Sequence, residues 1–244
     1  MSRGGSFQCC AVGAIPSAST PMGTRLRSDA RKTRRRELLD GAARHGAWVI
    51  EDDYDGEFRF SGRPIASLQG IDDEQRVIYL GTFSKALFPG LRLAYMVIPE
   101  AICERFALAT ARLSFEGRQV TQQALAAFIR EGHFGSHIRR MRVTYTQRRE
   151  LLAEVWRREL GDAVPLSGAD TGMHVVAELP RGRDQRLSDA ALEAGIVAQS
   201  LKSLFMGPAT RAGLVLGYGA IHERGIRQHG TALARMVAEA LKRK

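Results

Sequence analysis

Two stretches, AWVIEDDYDGEFRF at residues 47–60 and RVIYLGTFSKALFPGLRLAYMVIP at residues 76–99, decide the fold of this chain. Each contains an apolar run of strand length, at residues 47–50 and 77–80, which ends abruptly in polar residues. Continuous apolar runs bounded by turn residues are typical of strands buried on both faces, as in parallel sheets. Ligands of open α/β sheets bind beyond the carboxyl ends of such strands. The polar residues are therefore predicted to meet at one edge of a sheet.

The second apolar run leads into GTFSKALFPGLR, which holds a lysine among phosphate-binding residue types. Lys85 follows Thr82 and Ser84, and Arg92 comes a few residues later. A partly desolvated lysine at a strand end can act as a Schiff-base former, although a structural lysine is the alternative when Lys85 is considered alone. Two hydroxyls and a guanidinium are donors for a phosphate monoester. The turn lacks the P-loop pattern, which disfavours a nucleoside triphosphate.

The first apolar run leads into an acidic cluster that contains one phenol. Asp52 is suited to pair with a protonated ring nitrogen, and Tyr54 is suited to donate a hydrogen bond to an aromatic oxygen. The alternative is an acidic loop or a divalent-metal site formed by Asp52, Asp53, Asp55 and Glu57. Combined with the lysine, hydroxyls and arginine of the second stretch, Asp52 and Tyr54 match what pyridoxal 5′-phosphate requires. The combined set is far more specific than its parts.

Three motifs of the sequence resemble those of a known protein family. WVIEDDYDGEFRF at 48–60, YLGTFSKALFPGLRLAYMV at 79–97 and GHFGSHIRRMRVTYTQRRELL at 132–152 closely resemble the aminotransferase-like domain of MocR-type regulators, a branch of the GntR superfamily. That domain is similar to fold type I, class I/II aminotransferases that use pyridoxal 5′-phosphate. The resemblance covers the chain from about residue 34 to its C-terminus.

The resemblance implies a role for each residue of the predicted site. Lys85 forms the Schiff base with the cofactor, Asp52 pairs with the pyridine nitrogen, and Tyr54 bonds the 3′ oxygen. The residues implied to bind the cofactor phosphate are Thr82, Ser84 and Arg92. Arg211, in TRAGLVLGYGAI, is the candidate for the arginine that binds the substrate carboxylate. A homodimer is also implied, because family members build their sites across a dimer interface.

The N-terminal part of the chain departs from the family pattern. In the family, a winged helix-turn-helix domain, a linker and the first part of the large domain precede the motifs quoted above. IPSASTPMG at residues 15–23 resembles the family turn T-P-S-H-Q-Y-P-x-G, but Ala18, Ser19 and Thr20 replace its His, Gln and Tyr. We therefore expect an N-terminally truncated member, which would act on DNA only through a separate or missing helix-turn-helix domain.

The pattern along the chain predicts an α/β large domain, partial and with a mainly parallel sheet, followed by a small α+β domain. The expected division is an irregular segment at 1–27, a large domain at 28–150 and a small domain at 151–244. Helices are predicted at 28–44, 100–114, 121–130, about 135–160, 185–194 and from 225 onward, and further strands at 91–98, 173–178, 196–199 and 213–216.

Charge and composition limit the classes of function. The formal net charge of +10 is concentrated at residues 25–36, 139–149 and 157–158, and indicates either a phosphate-binding arm or solvated helix faces. The cysteines, which are Cys9, Cys10 and Cys103, are too few for a disulfide framework or a structural zinc site. No apolar run is long enough for a membrane span, so we expect a soluble, cytoplasmic protein.

Three functional hypotheses follow from these patterns. The first is transamination of an amino acid, in which Lys85 transfers the proton at the α-carbon. The second is an effector domain that senses the cofactor or its adduct with an amino compound, and the third is a non-functional fragment. A zinc site at His133 and His137 is not expected, because Gly132 and Gly135 interrupt the helix there and a third ligand is lacking.

Overall fold

The structure, a computed structural model, describes residues 28–54, 56–60, 66–113, 119–168 and 172–242, with side chains from residue 33 onward. The predicted irregular segment at residues 1–27 lies outside the described residues, as does Asp55. The described chain forms two compact units: residues up to 57 together with 66–136, and residues 58–60 together with 137–242. The division falls inside the helix His133–Leu160, and the domain boundary predicted after residue 150 lies in the same helix.

The first unit contains a three-stranded sheet that follows helix α1 (Ser28–Arg44). Its strands, in the spatial order β1-β2-β3, are β1 (Val49–Asp53), β2 (Val77–Thr82) and β3 (Ala94–Val97). β1 and β2 are parallel, as predicted, but β3 pairs antiparallel with β2, so the sheet is mixed. The connection at residues 83–93 is too short for a parallel crossover, which needs a dozen or more residues. The strand must therefore return beside β2 in the opposite direction.

A small hydrophobic core lies beside the end of β2. Helix α2 (Phe83–Ala86) follows β2 directly, and its Phe83 packs with Leu93 and with Leu125 of helix α4 (Gln119–Arg130). The Phe83 amide also donates to the Leu93 carbonyl at 3.1 Å. Both Phe83 and Ala86 are buried, so α2 is held against the sheet by every apolar side chain that it has.

The second unit contains a four-stranded antiparallel sheet in the order β4-β5-β7-β6. Its strands are β4 (Leu166–Ser167), β5 (His174–Glu178), β6 (Gln199–Ser200) and β7 (Gly213–Gly217). The helices of this part of the chain are α5 (His133–Leu160), which begins in the first unit, α6 (Asp184–Glu193) and α7 (Glu223–Lys242). Trp156, Val176, Leu214 and Val237 are fully buried between these layers. The Trp156 indole donates to the Val164 carbonyl at 2.9 Å, which satisfies its buried N–H.

Arg148, which belongs to the basic segment at residues 139–149, and Arg235 make structural contacts. Arg148 on α5 donates to Glu223 on α7 at 2.9 Å and to the Gly219 carbonyl at 2.6 Å. Arg235 on α7 reaches back to Glu159 on α5 at 3.0 Å. These hydrogen bonds hold the pKa values of the Glu223 and Glu159 carboxyl groups below their ordinary range. Part of the positive charge therefore ties α5 to α7.

Six helices lie within two residues of their predicted positions. These include α3 (Glu100–Leu113). β1 extends three residues beyond the predicted run, since Glu51, Asp52 and Asp53 also pair with β2. The short elements α2 and β4 were not predicted, and α5 includes Gly135, where an interruption was expected. None of the helices in the described ranges is long and apolar enough to cross a membrane.

Candidate active site

The carboxyl ends of β1 and β2 are level with each other. Asp52 is the register partner of Leu80, and Asp53 is the partner of Gly81. Thr82 ends β2 opposite Ala94, the first residue of the antiparallel β3. The antiparallel return therefore brings the residues that precede β3 to the same edge as the residues that follow β1 and β2. Asp52, Tyr54, Thr82, Ser84, Lys85 and Arg92 all belong to this edge of the first unit.

The three consecutive carboxylates of β1 divide between the two faces of the sheet. Successive strand residues point to opposite faces, and Glu51 and Asp53 are half-buried whereas Asp52 is exposed. Glu51 accepts hydrogen bonds from the backbone amides of Leu68 and Gln69 at 2.7 and 3.1 Å. Within the described residues, the Asp52 side chain makes no hydrogen bond or ion pair. Asp52 is thus the carboxylate of this strand that is available to a ligand.

Asp53 belongs to a polar cluster on the other face of the sheet. One of its carboxylate oxygens accepts from the Tyr79 hydroxyl and the other from the Gly56 amide, each at 2.9 Å. The Tyr79 ring lies 6.0 Å from that of Tyr95, between ring centroids. No role for Tyr79 or Gly56 was predicted from the sequence. The sequence feature that could have indicated this role is the alternation of side chains along a strand, which places Asp53 and Asp52 on opposite faces of the sheet.

Thr82, Ser84 and Lys85 lie on the turn from β2 into α2. Thr82 caps this helix, and its side-chain oxygen accepts from the Ser84 amide at 3.2 Å. The bond occupies one lone pair of the Thr82 hydroxyl, so its proton remains available to an acceptor. Lys85 is half-buried, and the described part of the chain provides no hydrogen-bond or ion-pair partner for its ammonium.

Arg92 and Tyr54 complete the set of polar residues at this edge. Arg92 adopts the left-handed conformation, with φ 52° and ψ 35°, directly after the 3₁₀ helix Pro89–Leu91. A bulky residue in this conformation costs about 1 kcal/mol, and such residues concentrate at functional sites. Tyr54 follows β1 with half of its side chain exposed. The edge therefore offers a carboxylate, an amine, a phenol, two hydroxyls and a guanidinium.

Arg211 lies in the second unit, immediately before β7. Its guanidinium forms an ion pair with Glu178 and donates to the Ser167 hydroxyl at 3.2 Å. Ser167 in turn donates to Glu178 at 2.5 Å. A substrate carboxylate would have to compete with Glu178 for this arginine. The role of Arg211 in substrate binding stays a prediction.

The histidines considered as metal ligands have other contacts. His133 lies 3.4 Å from the Glu131 carboxylate, and its ring packs against Phe128 with 5.7 Å between centroids. Among the residues that the structure describes, no three His, Cys, Asp or Glu side chains cluster in a way that could hold a metal ion. The acidic alternative at the end of β1 includes Asp55, which lies outside the described residues.

Comparison with known proteins identifies the family. Residues 14–212 match the family described as aminotransferase class I and II, a span that includes β1, β2, α2 and β3. The chain therefore belongs to this family and forms a class I/II aminotransferase-like domain.

Both regulators and enzymes are similar to the chain. It is 38% identical over 214 residues to the probable rhizopine catabolism regulatory protein MocR of Rhizobium meliloti, a match covering 87% of this chain and 43% of that protein. It is 28% identical over 230 residues to aromatic-amino-acid aminotransferase 1 of Thermococcus litoralis, covering 94% of this chain and 54% of the enzyme. The chain thus spans about half the length of these relatives.

A solved structure confirms the fold class predicted from the sequence. The chain superimposes with a TM-score of 0.75 and 29% identity on LysN, the α-aminoadipate aminotransferase of Thermus thermophilus, complexed with N-(5′-phosphopyridoxyl)-L-leucine. The match covers 86% of this chain and 55% of LysN. The architecture is that of fold type I aminotransferases, and the family implies pyridoxal 5′-phosphate as the cofactor.

The residues at the edge of the sheet fit this cofactor by their chemistry. Pyridoxal 5′-phosphate presents an aldehyde, a ring nitrogen, a phenolic oxygen and a phosphate, and each has a matching group among the residues described above. The side chains of Lys85 and Asp52, which correspond to the aldehyde and the ring nitrogen, also lack partners in the described residues. Structural side chains such as Glu51 and Asp53, in contrast, are already hydrogen-bonded.

Proposed function

We propose that this domain binds pyridoxal 5′-phosphate at the shared edge of β1, β2 and β3 and performs Schiff-base chemistry on an amino acid or a related amine. The observation that carries the proposal is the contrast between Asp52 and its two neighbours in β1. Glu51 and Asp53 are engaged by the protein, whereas Asp52 is exposed at the edge where Lys85 follows β2. A carboxylate and an amine without partners in the described residues are the two groups that this cofactor needs most.

Each polar residue at this edge has a defined task in the proposal. The Lys85 amine would bind the aldehyde carbon with loss of water, and the Asp52 carboxylate would hold a proton at the ring nitrogen. The Tyr54 hydroxyl would donate a hydrogen bond to the phenolic oxygen. The residues that would bind the phosphate are Thr82, Ser84 and Arg92.

The proposed reaction depends on proton transfer by Lys85. When bound, the cofactor supplies an electron sink for charge that develops at the substrate α-carbon. The substrate amine would first displace Lys85 from the aldehyde carbon. The freed Lys85 amine would then take the proton from the substrate α-carbon as a general base and pass it to the former aldehyde carbon as a general acid, so transamination is the expected outcome. Asp52 would keep the ring nitrogen positively charged, because a neighbouring carboxylate favours the protonated form of the nitrogen.

Substrate, partners and location are part of the proposal. Arg211 is the proposed ligand of a substrate carboxylate, in exchange for Glu178. The name of the Thermococcus litoralis relative, an aminotransferase of aromatic amino acids, supports an amino acid as the substrate class. We also infer a homodimer and a cytoplasmic location, which sedimentation velocity and cell fractionation would test.

The test of cofactor binding is an absorbance titration with pyridoxal 5′-phosphate. We expect a visible band from the adduct of the cofactor with Lys85, and we expect this band to disappear in Lys85→Ala. Lys202→Ala is the matched control, because Lys202 lies in the second unit with an exposed side chain and should leave the band unchanged. A band of equal strength in Lys85→Ala would refute the assignment.

A second candidate function is an effector domain of a transcriptional regulator. It is favoured by the 38% identity to the rhizopine catabolism regulatory protein MocR. In this role the same residues would bind the cofactor or its adduct with an amino compound, and the signal would pass to a helix-turn-helix domain on the same or another chain. Cofactor binding without turnover of any amino donor would favour the regulator, and so would a helix-turn-helix coding region directly upstream. Turnover would favour the enzyme.

A further inference from the structure

Asp53 uses both of its carboxylate oxygens to connect the turn after β1 to strand β2. One oxygen accepts from the Gly56 amide and the other from the Tyr79 hydroxyl. We propose that Asp53 is a positioning residue, which fixes Tyr54 toward the cofactor by tying the start of this turn to Tyr79. This inference rests on the proposed function, because it assigns an indirect role in the same cofactor site.

The contact between Asp53 and Gly56 is so close that a side chain at position 56 would displace the Asp53 carboxylate. A Cβ atom there would lie 2.4 to 2.8 Å from the Asp53 carboxylate, far inside normal contact distance. The glycine therefore allows the backbone to approach the carboxylate closely enough for the 2.9 Å hydrogen bond. Tyr54 lies in sequence between Asp53 and Gly56, so both ends of its local backbone are held by one carboxylate.

The Tyr79 side chain, which donates to the Asp53 carboxylate, is itself held in place by packing against neighbouring aromatic rings. Its ring neighbours Tyr95, and Tyr95 covers Gly81, where a Cβ atom would lie 2.3 to 2.6 Å from the ring and hydroxyl of Tyr95. The Tyr95 ring also packs against Phe83, with 5.3 Å between centroids. This packing connects Tyr79 to the core on which α2 and Lys85 are built.

The environment of the two phenols in this cluster raises their pKa values and so favours the protonated form, which is a hydrogen-bond donor. Burial, the neighbouring phenol and the Asp53 carboxylate raise the pKa of Tyr79 well above its ordinary value. Burial also raises the pKa of Tyr95, which faces the carboxylates of Glu57 and Asp53. The Tyr79 hydroxyl is therefore a hydrogen-bond donor to Asp53 at neutral pH.

The first experiment uses the cofactor-free protein and needs no activity. We expect hydrogen exchange of the Gly56 amide to accelerate about tenfold in Asp53→Ala, because its acceptor is removed, and by a smaller factor in Tyr79→Phe. Tyr145→Phe is the matched control: it removes a hydroxyl from a buried ring of the second unit that packs on Phe58. Equal Gly56 exchange in the wild type, Asp53→Ala and Tyr79→Phe would overturn the proposal.

The second experiment tests the effect on the cofactor. A donor to the phenolic oxygen favours the deprotonated Schiff base, so Tyr54→Phe should raise the pH midpoint of the visible band. Tyr79→Phe should raise it less, and the double variant should match Tyr54→Phe alone, since Tyr79 acts through Tyr54. An unmoved midpoint in Tyr79→Phe would refute the positioning role alone. The absence of any band in the wild-type protein would refute the proposed function as well.

Discussion

Asp52 and Asp53 are adjacent in the sequence and turn their carboxylates to opposite faces of the same strand. Asp53 is bonded to Tyr79 and Gly56 on the inner face, whereas Asp52 is exposed on the other face. Two chemically identical groups are thus separated by the strand geometry into one that supports the structure and one that is available to a ligand. The consequences for stability and for cofactor binding can be measured separately.

Alanine substitutions at the two aspartates should have different effects. Asp53→Ala leaves the Tyr79 hydroxyl and the Gly56 amide without their acceptor, so we expect it to lower the free energy of unfolding by about 1 to 3 kcal/mol. Asp52→Ala removes an exposed side chain, so the change should stay within about 0.5 kcal/mol, while the affinity for pyridoxal 5′-phosphate falls at least about tenfold. Urea unfolding and absorbance titration measure the two effects. Equal losses of stability would contradict the division of roles.

Gly81→Ala should disrupt the end of β2. The added methyl group would lie 2.3 to 2.6 Å from the Tyr95 side chain, so we expect a destabilisation of about 1 to 3 kcal/mol, as for other overpacked sites. Gly41→Ala is the matched control, because the residue is helical in α1 and a methyl group added there would meet no atom within 4 Å. It should stabilise the protein by up to about 1 kcal/mol. Similar unfolding midpoints for both variants would contradict the close packing of Tyr95 on Gly81.

The buried carboxylate of Asp184 should make the second unit sensitive to acid. Burial alone would raise its pKa, but hydrogen bonds from the Ser200 hydroxyl and the Lys202 amide outweigh burial and hold the pKa below its ordinary value. A carboxyl group whose pKa is lowered in the folded protein stabilises the fold at pH values above its ordinary pKa. This stabilisation is lost as the pH falls through the lowered pKa.

We therefore expect Asp184→Asn to destabilise the protein by a constant amount above about pH 5 and by a decreasing amount as the pH falls below about 4. Urea unfolding of the wild type and of Asp184→Asn across this pH range measures the difference between their free energies of unfolding. A difference that does not change with pH would show that the ionised form of Asp184 is not the stabilising one.

The ion pair between Arg211 and Glu178 provides a test of substrate binding. Glu178→Gln removes the competing charge, so an amino acid should bind the cofactor-loaded protein several-fold more tightly. An amine that lacks a carboxylate should bind with unchanged affinity and serves as the control. Spectral titration with both compounds measures the effect. Equal responses to the amino acid and the amine would remove Arg211 from the proposed substrate site.

The sequence predicted those parts of the fold that depend on local patterns. The apolar runs indicated β1 and β2, and the helical periodicity placed the ends of α1 and α5 within two residues. The direction of β3 was not predicted, because it depends on the length of the connection after Thr82 rather than on the composition of the strand. β4 has two residues, too few for any period to be visible.

The residue types at the candidate site can be read from the sequence, whereas the contacts that hold the neighbouring residues in place cannot. Lys85, Asp52 and Arg92 were identified by residue type and by their position after apolar runs, and these roles await experiment. The link from Asp53 to Tyr79 was not predicted, since the two residues are 26 positions apart and meet through the pairing of β1 with β2. Similarly, the partner of Arg211 lies 33 positions away, on a neighbouring strand. Contacts of this kind depend on register, which a sequence pattern does not specify.

The most direct test of the central claim is to reduce the protein with borohydride in the presence of pyridoxal 5′-phosphate and to map the modified lysine by mass spectrometry. The chain contains five candidates, Lys32, Lys85, Lys202, Lys242 and Lys244. We predict that the reduced adduct is found at Lys85, at near-stoichiometric yield, and that modification of the other four stays at background level. An adduct distributed over several lysines, or one absent from Lys85, would contradict the proposed cofactor site.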